Sequence, residues 1–235
     1  MKRYLINFIF LLTTLLFTNA YAEDTWTYTQ SKEKLKLMTP ATALTLLKEG
    51  NSRFIAGKMK NRNFLKQVKL TKNSQFPFAF ILSCMDSRGS PELIFDQGIG
   101  DIFSGRVAGN VIDDDQLGGM EYAVRVIGAH IIVVMGHTSC GAVKGACEKV
   151  KLGNLTQLLD KITPAANTIK KQSQDSSLDC NDSTIVNAIA KQNVMNMIQE
   201  ISKRSSIIKS LVDKKQVVIV GAIQDLSTGQ VTFIK

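Results

Sequence analysis

The chain has 235 residues, of which 29 are Lys or Arg and 20 are Asp or Glu, so its formal net charge is +9. Apolar residues make up 44% of the chain and charged residues 21%, which excludes a disordered polymer and a collagen-like repeat. Four prolines and 16 glycines are too few for a long flexible linker. The length fits one large domain or two small ones.

The first 22 residues have the pattern of a secretory signal peptide. Lys2-Arg3 is a basic start, residues 4–17 are mostly apolar, and residues 20–22 (Ala-Tyr-Ala) form a small-x-small cleavage site. The apolar run is shorter than the ~20 residues that a membrane-spanning helix needs. An uncleaved anchor is the alternative. The sequence predicts a secreted or periplasmic protein whose mature chain begins near Glu23.

Basic residues are concentrated between residues 32 and 72, where eleven Lys or Arg face only Glu33 and Glu49. Such a stretch is typical of lysines on the solvated faces of helices. The alternative is a weak contact with acidic surfaces of the cell envelope. No nucleic-acid-binding motif accompanies the charge, so we expect no nucleic-acid partner.

The hydrophobic pattern predicts helices first and then an alternation of strands and helices. Thr39-Pro40 reads as a helix cap followed by proline at the first helical position, which predicts a helix over 40–56. The continuous apolar run 78–82 is typical of a strand buried on both faces. The pattern then predicts a short helix at 90–98, a strand at 101–108, a helix at 114–127 and a strand at 131–135. A helix follows from 139 to about 149, and residues 152–171 are mostly helical. After a loop at 172–182, the pattern predicts one long or two shorter helices over 182–211, and then strands at 217–222 and 231–234 separated by a turn.

Strands that alternate with helices indicate an α/β fold. We therefore expect a mostly parallel central sheet of four to five strands, flanked by helices. A helical arm at about 32–72 precedes the sheet. No boundary interrupts the alternation, so the interpretation is a single domain over 23–235.

Metal-binding residue types follow two of the predicted strands. Cys84 comes directly after the strand at 78–82, while His137 and Cys140 follow the strand at 131–135. The carboxyl ends of parallel strands meet at one edge of a sheet, which is where such folds bind ligands. Two thiolates and an imidazole suit zinc and leave its fourth coordination position open.

A polar pair follows the first of these cysteines. Asp86 and Arg88 are close enough in sequence for the guanidinium to hold the carboxylate in a bidentate pair. Cysteine is also often just a small buried residue. The convergence of three ligand-type residues and the Asp/Arg pair favours the metal site.

Two segments resemble the zinc motif pair of the β-class carbonic anhydrases, with the pattern of the plant-like subgroup. They are Cys84-Met85-Asp86-Ser87-Arg88 and His137-Thr138-Ser139-Cys140-Gly141, and the similarity runs from about Thr39 to the C-terminus. The resemblance implies a lyase with one Zn²⁺ per chain that hydrates CO₂ to bicarbonate and a proton through zinc-bound hydroxide. It also implies an obligate homodimer that often assembles into tetramers.

The resemblance implies a role for each matching residue. Cys84, His137 and Cys140 match the permanent zinc ligands. Asp86 and Arg88 match the catalytic dyad, and Asp86 also matches a residue that ligates zinc in a closed, inactive form of some members. The remaining matches are Gln75, an amide proposed to hold the substrate, Phe103 and Tyr122, aromatic side chains of the pocket or dimer cleft, and Arg106–Asn110, a segment near the active-site floor.

Other readings of the same residues stay open at this point. Hydrolases of CS₂ and COS resemble this family, so the substrate is not fixed by the motif pair. A non-catalytic zinc-binding protein attached to the envelope through its basic arm is a further alternative. Cys147 and Cys180 either form a disulfide in an oxidising compartment or are a buried helical thiol and an exposed loop thiol.

Overall fold

The computed structural model describes residues 26–173 and 178–234. The predicted signal peptide lies outside the described residues. Within those two ranges, no helix has the length and apolar character that crossing a membrane requires.

The centre of the fold is a five-stranded sheet with the order β2-β1-β3-β4-β5. Its first four strands are parallel, and β5 pairs antiparallel with β4. This confirms the predicted mostly parallel sheet. The strands are β1 (Ala79–Ser83), β2 (Ile102–Arg106), β3 (Ile131–His137), β4 (Val218–Gln224) and β5 (Val231–Ile234).

Ten α-helices lie around the sheet in the described ranges, and three of them form the N-terminal arm. In chain order they are α1 (Lys32–Leu37), α2 (Pro40–Ile55), α3 (Phe64–Thr71), α4 (Pro91–Ile94), α5 (Asp114–Glu121), α6 (Gly141–Cys147), α7 (Gly153–Asp160), α8 (Thr163–Gln172), α9 (Ser183–Arg204) and α10 (Ser206–Asp213). A short 3₁₀ turn spans Ala108–Asn110, and α5 continues as a π-helical segment over Tyr122–Ile127.

The predicted end of the second strand differs from the structure. The strand ends at Arg106 rather than residue 108, because the chain enters the 3₁₀ turn. Of the two alternatives predicted over 182–211, the structure has two shorter helices, because the Ser205 side chain accepts a hydrogen bond from Ile208 N and so caps the second one.

The sheet separates two apolar layers. Ala43 and Leu47 of α2 pack in the layer on one face, and Ile189 and Val194 of α9 pack in the layer on the other. Every residue of β1 and β3 is buried, which explains their uninterrupted apolar sequences.

The parallel register of β1 and β3 positions the predicted site. Ser83, the last residue of β1, pairs with Met135, two residues before the end of β3. Cys84, directly after β1, and His137, the last residue of β3, therefore reach the same edge of the sheet.

Candidate metal centre

Three buried side chains form the predicted ligand cluster. Cys84 directly follows β1, His137 is the last residue of β3, and Cys140 is the cap residue before α6. One nitrogen and two sulfur atoms, one from each residue, all lie within 4.8 Å of one another. The side chains come from separate parts of the chain and converge on one point, as a tetrahedral zinc site requires.

The histidine is oriented to offer a nitrogen to this point. His137 Nδ1 lies 2.9 Å from the carbonyl oxygen of Thr138, which accepts a hydrogen bond when that nitrogen is protonated. This tautomer leaves a lone pair on Nε2, which is buried and has no hydrogen-bond partner among the described residues. A buried nitrogen left unpaired beside two thiols is the arrangement that a metal ion satisfies. The residues present therefore fit zinc.

The turn that joins the last two ligands is held from outside. Thr138 N donates to the carbonyl of Gln224 at 2.9 Å, and the Thr138 hydroxyl accepts from Leu226 N at 3.0 Å. Ser139 N donates to Asn187 Oδ1 of α9 at 2.8 Å. The β4–β5 turn and α9 thus fix the position of the turn between His137 and Cys140.

The two thiols influence each other strongly. The Cys140 thiol beside Cys84, helped by a hydrogen bond from Gly109 N, lowers the pKa of Cys84 to about 4 against the opposing effect of burial. The same pairing, together with burial, raises the pKa of Cys140. The pair thus shares one proton. A divalent cation that displaces this proton gains a second thiolate.

Asp86 and Arg88 form the predicted bidentate pair beside the cluster. Arg88 Nε donates to Asp86 Oδ1 at 2.9 Å and an Arg88 terminal nitrogen donates to Oδ2 at 2.7 Å, while Arg88 N donates to Oδ1 at 3.0 Å. These bonds hold the pKa of Asp86 well below its usual range, although burial acts in the opposite direction. Asp86 Oδ2 lies 4.0 Å from His137 Nε2. The carboxylate is therefore ionised, turned toward its arginine, and next to the metal position.

A second arginine holds the backbone of this loop. Arg106 Nε donates to the carbonyl of Cys84 at 3.3 Å, and an Arg106 terminal nitrogen donates to the carbonyl of Asp86 at 2.5 Å. The sequence predicts Arg106 near the site only as part of the Arg106–Asn110 segment, without a role of its own. Arg106 is the last residue of β2 and pairs with Ser83, the last residue of β1. This register brings Arg106 next to the loop that begins at Cys84.

Comparison with known proteins agrees with this geometry. Residues 79–231 match the family model described as carbonic anhydrase. The carbonic anhydrase of Mycolicibacterium smegmatis is 34% identical over 199 residues, which cover 82% of this chain and 92% of that protein. The chain belongs to the β-class carbonic anhydrase family. It is therefore a lyase, and its Cys-His-Cys cluster is typical of the family's zinc site.

Solved structures share the fold of this carbonic anhydrase. The β-carbonic anhydrase CafA of Aspergillus fumigatus superposes with a TM-score of 0.66 at 24% identity, covering 83% of this chain and 90% of that one. A structure from a report on two tetrameric β-carbonic anhydrases of Sordaria macrospora gives a TM-score of 0.63 at 24% identity, covering 69% and 83%. At these identities the likeness concerns the fold.

The three residues expected at the pocket or dimer cleft lie in two places in this chain. Gln75 is exposed and lies before the first residue of β1, whereas Cys84 lies after its last. The five-residue strand between them spans ~16 Å. The rings of Phe103 and Tyr122 contact each other, with centroids 6.1 Å apart, beside the edge strand β2. Within one chain, Gln75 is thus at the opposite end of the sheet from the ligands.

The two remaining cysteines are joined. Cys147 and Cys180 form a disulfide with a Cα–Cα distance of 5.8 Å, while Cys84 and Cys140 are free. The bridge connects the last residue of α6 to the segment before α9. It decides between the alternatives that the sequence left open.

Proposed function

We propose that Asp86 and Arg88 are the catalytic dyad of this carbonic anhydrase, acting beside a zinc ion held by Cys84, His137 and Cys140. The observation that carries the proposal is the position of the Asp86 carboxylate, which is bound by Arg88 while Oδ2 lies 4.0 Å from His137 Nε2. When bound, zinc acidifies a coordinated water so that it becomes a nucleophile near neutral pH.

In this proposal the dyad orients the attacking oxygen. An ionised carboxylate only accepts hydrogen bonds, so Asp86 accepts one from the reacting water and turns a lone pair of that water toward CO₂. Arg88 supplies the opposite charge, which keeps Asp86 ionised and draws it away from direct coordination.

A stopped-flow assay tests this function directly. The zinc-loaded protein should hydrate CO₂, and a chelator that removes the zinc should abolish the activity. CS₂ and COS are offered in parallel, because hydrolases of these compounds resemble the family. Hydrolysis of CS₂ or COS without CO₂ hydration would assign the site to the other substrates. Zinc binding without any of the three activities would favour the non-catalytic zinc protein.

We propose further that the enzyme acts as a homodimer in which Gln75, Phe103 and Tyr122 serve the substrate pocket of the partner copy. Two observations support this. Gln75 is too far from the ligands of its own chain, and β2 forms an open edge of the sheet. Large apolar side chains are exposed beside that strand, namely Leu93 of α4, Ile99 just before β2, and Tyr122, which contacts Phe103 of β2. Such a patch is typical of an interface between subunits.

We propose that the protein is exported to the periplasm or the medium and that its signal peptide is cleaved near Glu23. The pattern of residues 1–22 supports it. The disulfide between Cys147 and Cys180 supports it as well, because such bonds persist in oxidising compartments and are rare in the cytosol. The mature chain over 23–235 then acts as one domain.

The basic arm is proposed to make weak, salt-dependent contacts with acidic envelope surfaces. Helix α3 supports this, since Leu65 and Leu70 are exposed beside Lys66 and Lys69. The protein should sediment with anionic vesicles at low salt. It should not sediment with them at high salt, or with neutral vesicles. Equal recovery with both kinds of vesicle would contradict it.

A further inference from the structure

A fully buried amide connects α9 to the metal centre. Asn193 has no exposed surface, and its Nδ2 donates to the carbonyl oxygen of Gly109 at 2.8 Å across 84 residues of sequence. Its Oδ1 is buried and has no hydrogen-bond partner in the part of the chain that the structure describes. Burying an amide oxygen without a hydrogen-bond partner is unfavourable. The hydrogen bond that Nδ2 does make is therefore the interaction that gives this amide a specific role.

The acceptor of this bond lies in a conformation that depends on glycine. Gly109 has a φ of 66° and a ψ of 19° inside the 3₁₀ turn. A Cβ atom at this position would lie 2.4 Å from Ile162 Cδ1, so a larger residue would have to displace the Ile162 side chain as well as adopt a strained positive φ. Because glycine is the least restricted residue, contacts from outside the turn must fix the orientation of its peptide groups.

The orientation of this glycine matters because its amide points at a ligand. Gly109 N donates to Cys84 Sγ at 3.4 Å. A hydrogen bond to a thiolate withdraws electron density from the sulfur and fixes its position, and both effects tune a bound metal. The chain of contacts runs from Asn193 through Gly109 to Cys84.

We propose that Asn193 is a positioning residue for the zinc ligand Cys84. By holding the Gly109 carbonyl, it keeps the Gly109 amide directed at the thiolate. This inference rests on the zinc function of the site. Loss of the Asn193 amide should release the thiolate from its hydrogen bond, so that Cys84 donates more charge to the metal and is less well fixed.

The test compares Asn193→Leu with a matched control, Asn51→Leu. Asn51 is also a buried asparagine that bonds backbone groups, but its partners are Ile94, Gly229 and Val231. The latter two lie on the β5 side of the β4–β5 turn and are not the groups that bond Thr138, which are Gln224 and Leu226. Both substitutions remove a buried amide of the same size. A general loss of stability should therefore appear in both variants.

Cobalt substitution provides a readout other than activity. In the Co²⁺-loaded protein, Asn193→Leu should move the sulfur-to-metal charge-transfer band to lower energy, and the zinc-loaded form should release its metal to a chelator ~10–100-fold faster. The pH profile of CO₂ hydration should move to higher pH, because a more strongly donating thiolate makes the metal a weaker acid. Asn51→Leu should leave the band and the profile unchanged.

Two further measurements keep the inference testable if Asn193→Leu does not fold. Asn193→Ala adds no atom to the site and is read in the same way. In wild-type protein loaded with ¹¹³Cd, NMR should show coupling between the Gly109 amide proton and the metal through Cys84 Sγ. Absence of that coupling, or Asn193 variants with the wild-type band and pH profile, would overturn the inference. A wild-type protein that binds none of the zinc, cobalt or cadmium ions would instead refute the zinc site itself.

Discussion

Replacing Arg88 with alanine should let Asp86 close the metal centre. The substitution removes the two side-chain hydrogen bonds that hold the carboxylate, at 2.9 and 2.7 Å. Asp86 Oδ2 already lies 4.0 Å from His137 Nε2. Two ligands of a tetrahedral zinc, each ~2.1 Å from the ion, lie about 3.4 Å apart, so the oxygen needs to approach by only about 0.6 Å to become the fourth ligand.

The expected result is a protein that keeps its zinc and loses its activity. If the carboxylate occupies the fourth position in about 99 of 100 molecules, the rate falls roughly a hundredfold. Arg204→Ala is the matched control, since Arg204 also pairs with an aspartate, Asp114, at a distance of 2.6 Å on the surface. It should keep both zinc and activity.

Removal of the carboxylate itself should have a different outcome. Asp86→Ala leaves no group to block the fourth position, but the attacking oxygen loses its hydrogen-bond acceptor. One charge-assisted hydrogen bond contributes ~1.5–3 kcal/mol, so we expect a fall of roughly one to two powers of ten in rate. Because Arg88 holds the pKa of Asp86 below its ordinary value, the carboxylate is ionised at neutral pH and loses its charge only as the pH falls. The effect of Asp86→Ala should therefore be constant above about pH 5.

Stopped-flow CO₂ hydration, elemental analysis and crystal structures of the variants distinguish these outcomes. An Asp86 oxygen in the fourth position of Arg88→Ala would support the reasoning. Near-normal activity in that variant, or a water still bound to its zinc, would show that Arg88 does not keep the position open.

Three further predictions concern the ligands, the interface and the N-terminus. Cys84→Ser should lose both zinc and activity, because a hydroxyl replaces a thiolate poorly; elemental analysis should find about one zinc per chain in the wild type, and a zinc-free active enzyme would refute the site. Tyr122→Ala should shift light-scattering mass toward the monomer and lower CO₂ hydration together, while an active monomer would contradict the shared pocket. Protein from its native host should begin near Glu23 and occur in the periplasmic or secreted fraction; an intact N-terminus in membranes would favour an anchor.

The sequence predicts the sheet well because its strands are buried on both faces. The apolar runs 78–82 and 131–135 became β1 and β3 nearly residue for residue. The predicted end of β2 was wrong by two residues, because the chain turns at Ala108–Asn110, where Gly109 adopts a positive φ. Such a conformation depends on tertiary contacts that hydrophobic periodicity does not report.

The ligand cluster was predictable because its residues lie at or just after strand ends, and the Asp86–Arg88 ion pair was predictable because it closely follows one of them. Cys84 and Asp86 follow β1, and His137 ends β3, so topology alone brings them together. The groups that support them come from far along the chain. Asn187 reaches the turn after β3 across 48 residues, and Asn193 reaches its glycine across 84. Both lie on α9, and an asparagine on a long helix carries no local sign of such a role.

The disulfide and the zinc should stabilise the same short helix from its two ends. Helix α6 has seven residues, too few to be stable alone. It begins beside the ligand Cys140 and ends at Cys147, whose partner Cys180 is 33 residues away. Closing a loop of that length contributes about 3–4 kcal/mol in the chain-entropy account, or roughly 7–15 °C in Tm for a chain of this size.

The double variant Cys147→Ser/Cys180→Ser should therefore melt at a lower temperature yet keep its zinc and its activity at 25 °C, since neither residue contacts the dyad. Removing the zinc should destabilise the variant more than it destabilises the wild type, because the helix then lacks both attachments. Calorimetry of the four forms, with and without each constraint, measures this coupling as the departure from additivity. Equal effects of zinc removal in the two proteins would show that the constraints act on separate parts of the fold. Two alkylatable thiols at these positions in the native protein would remove the premise.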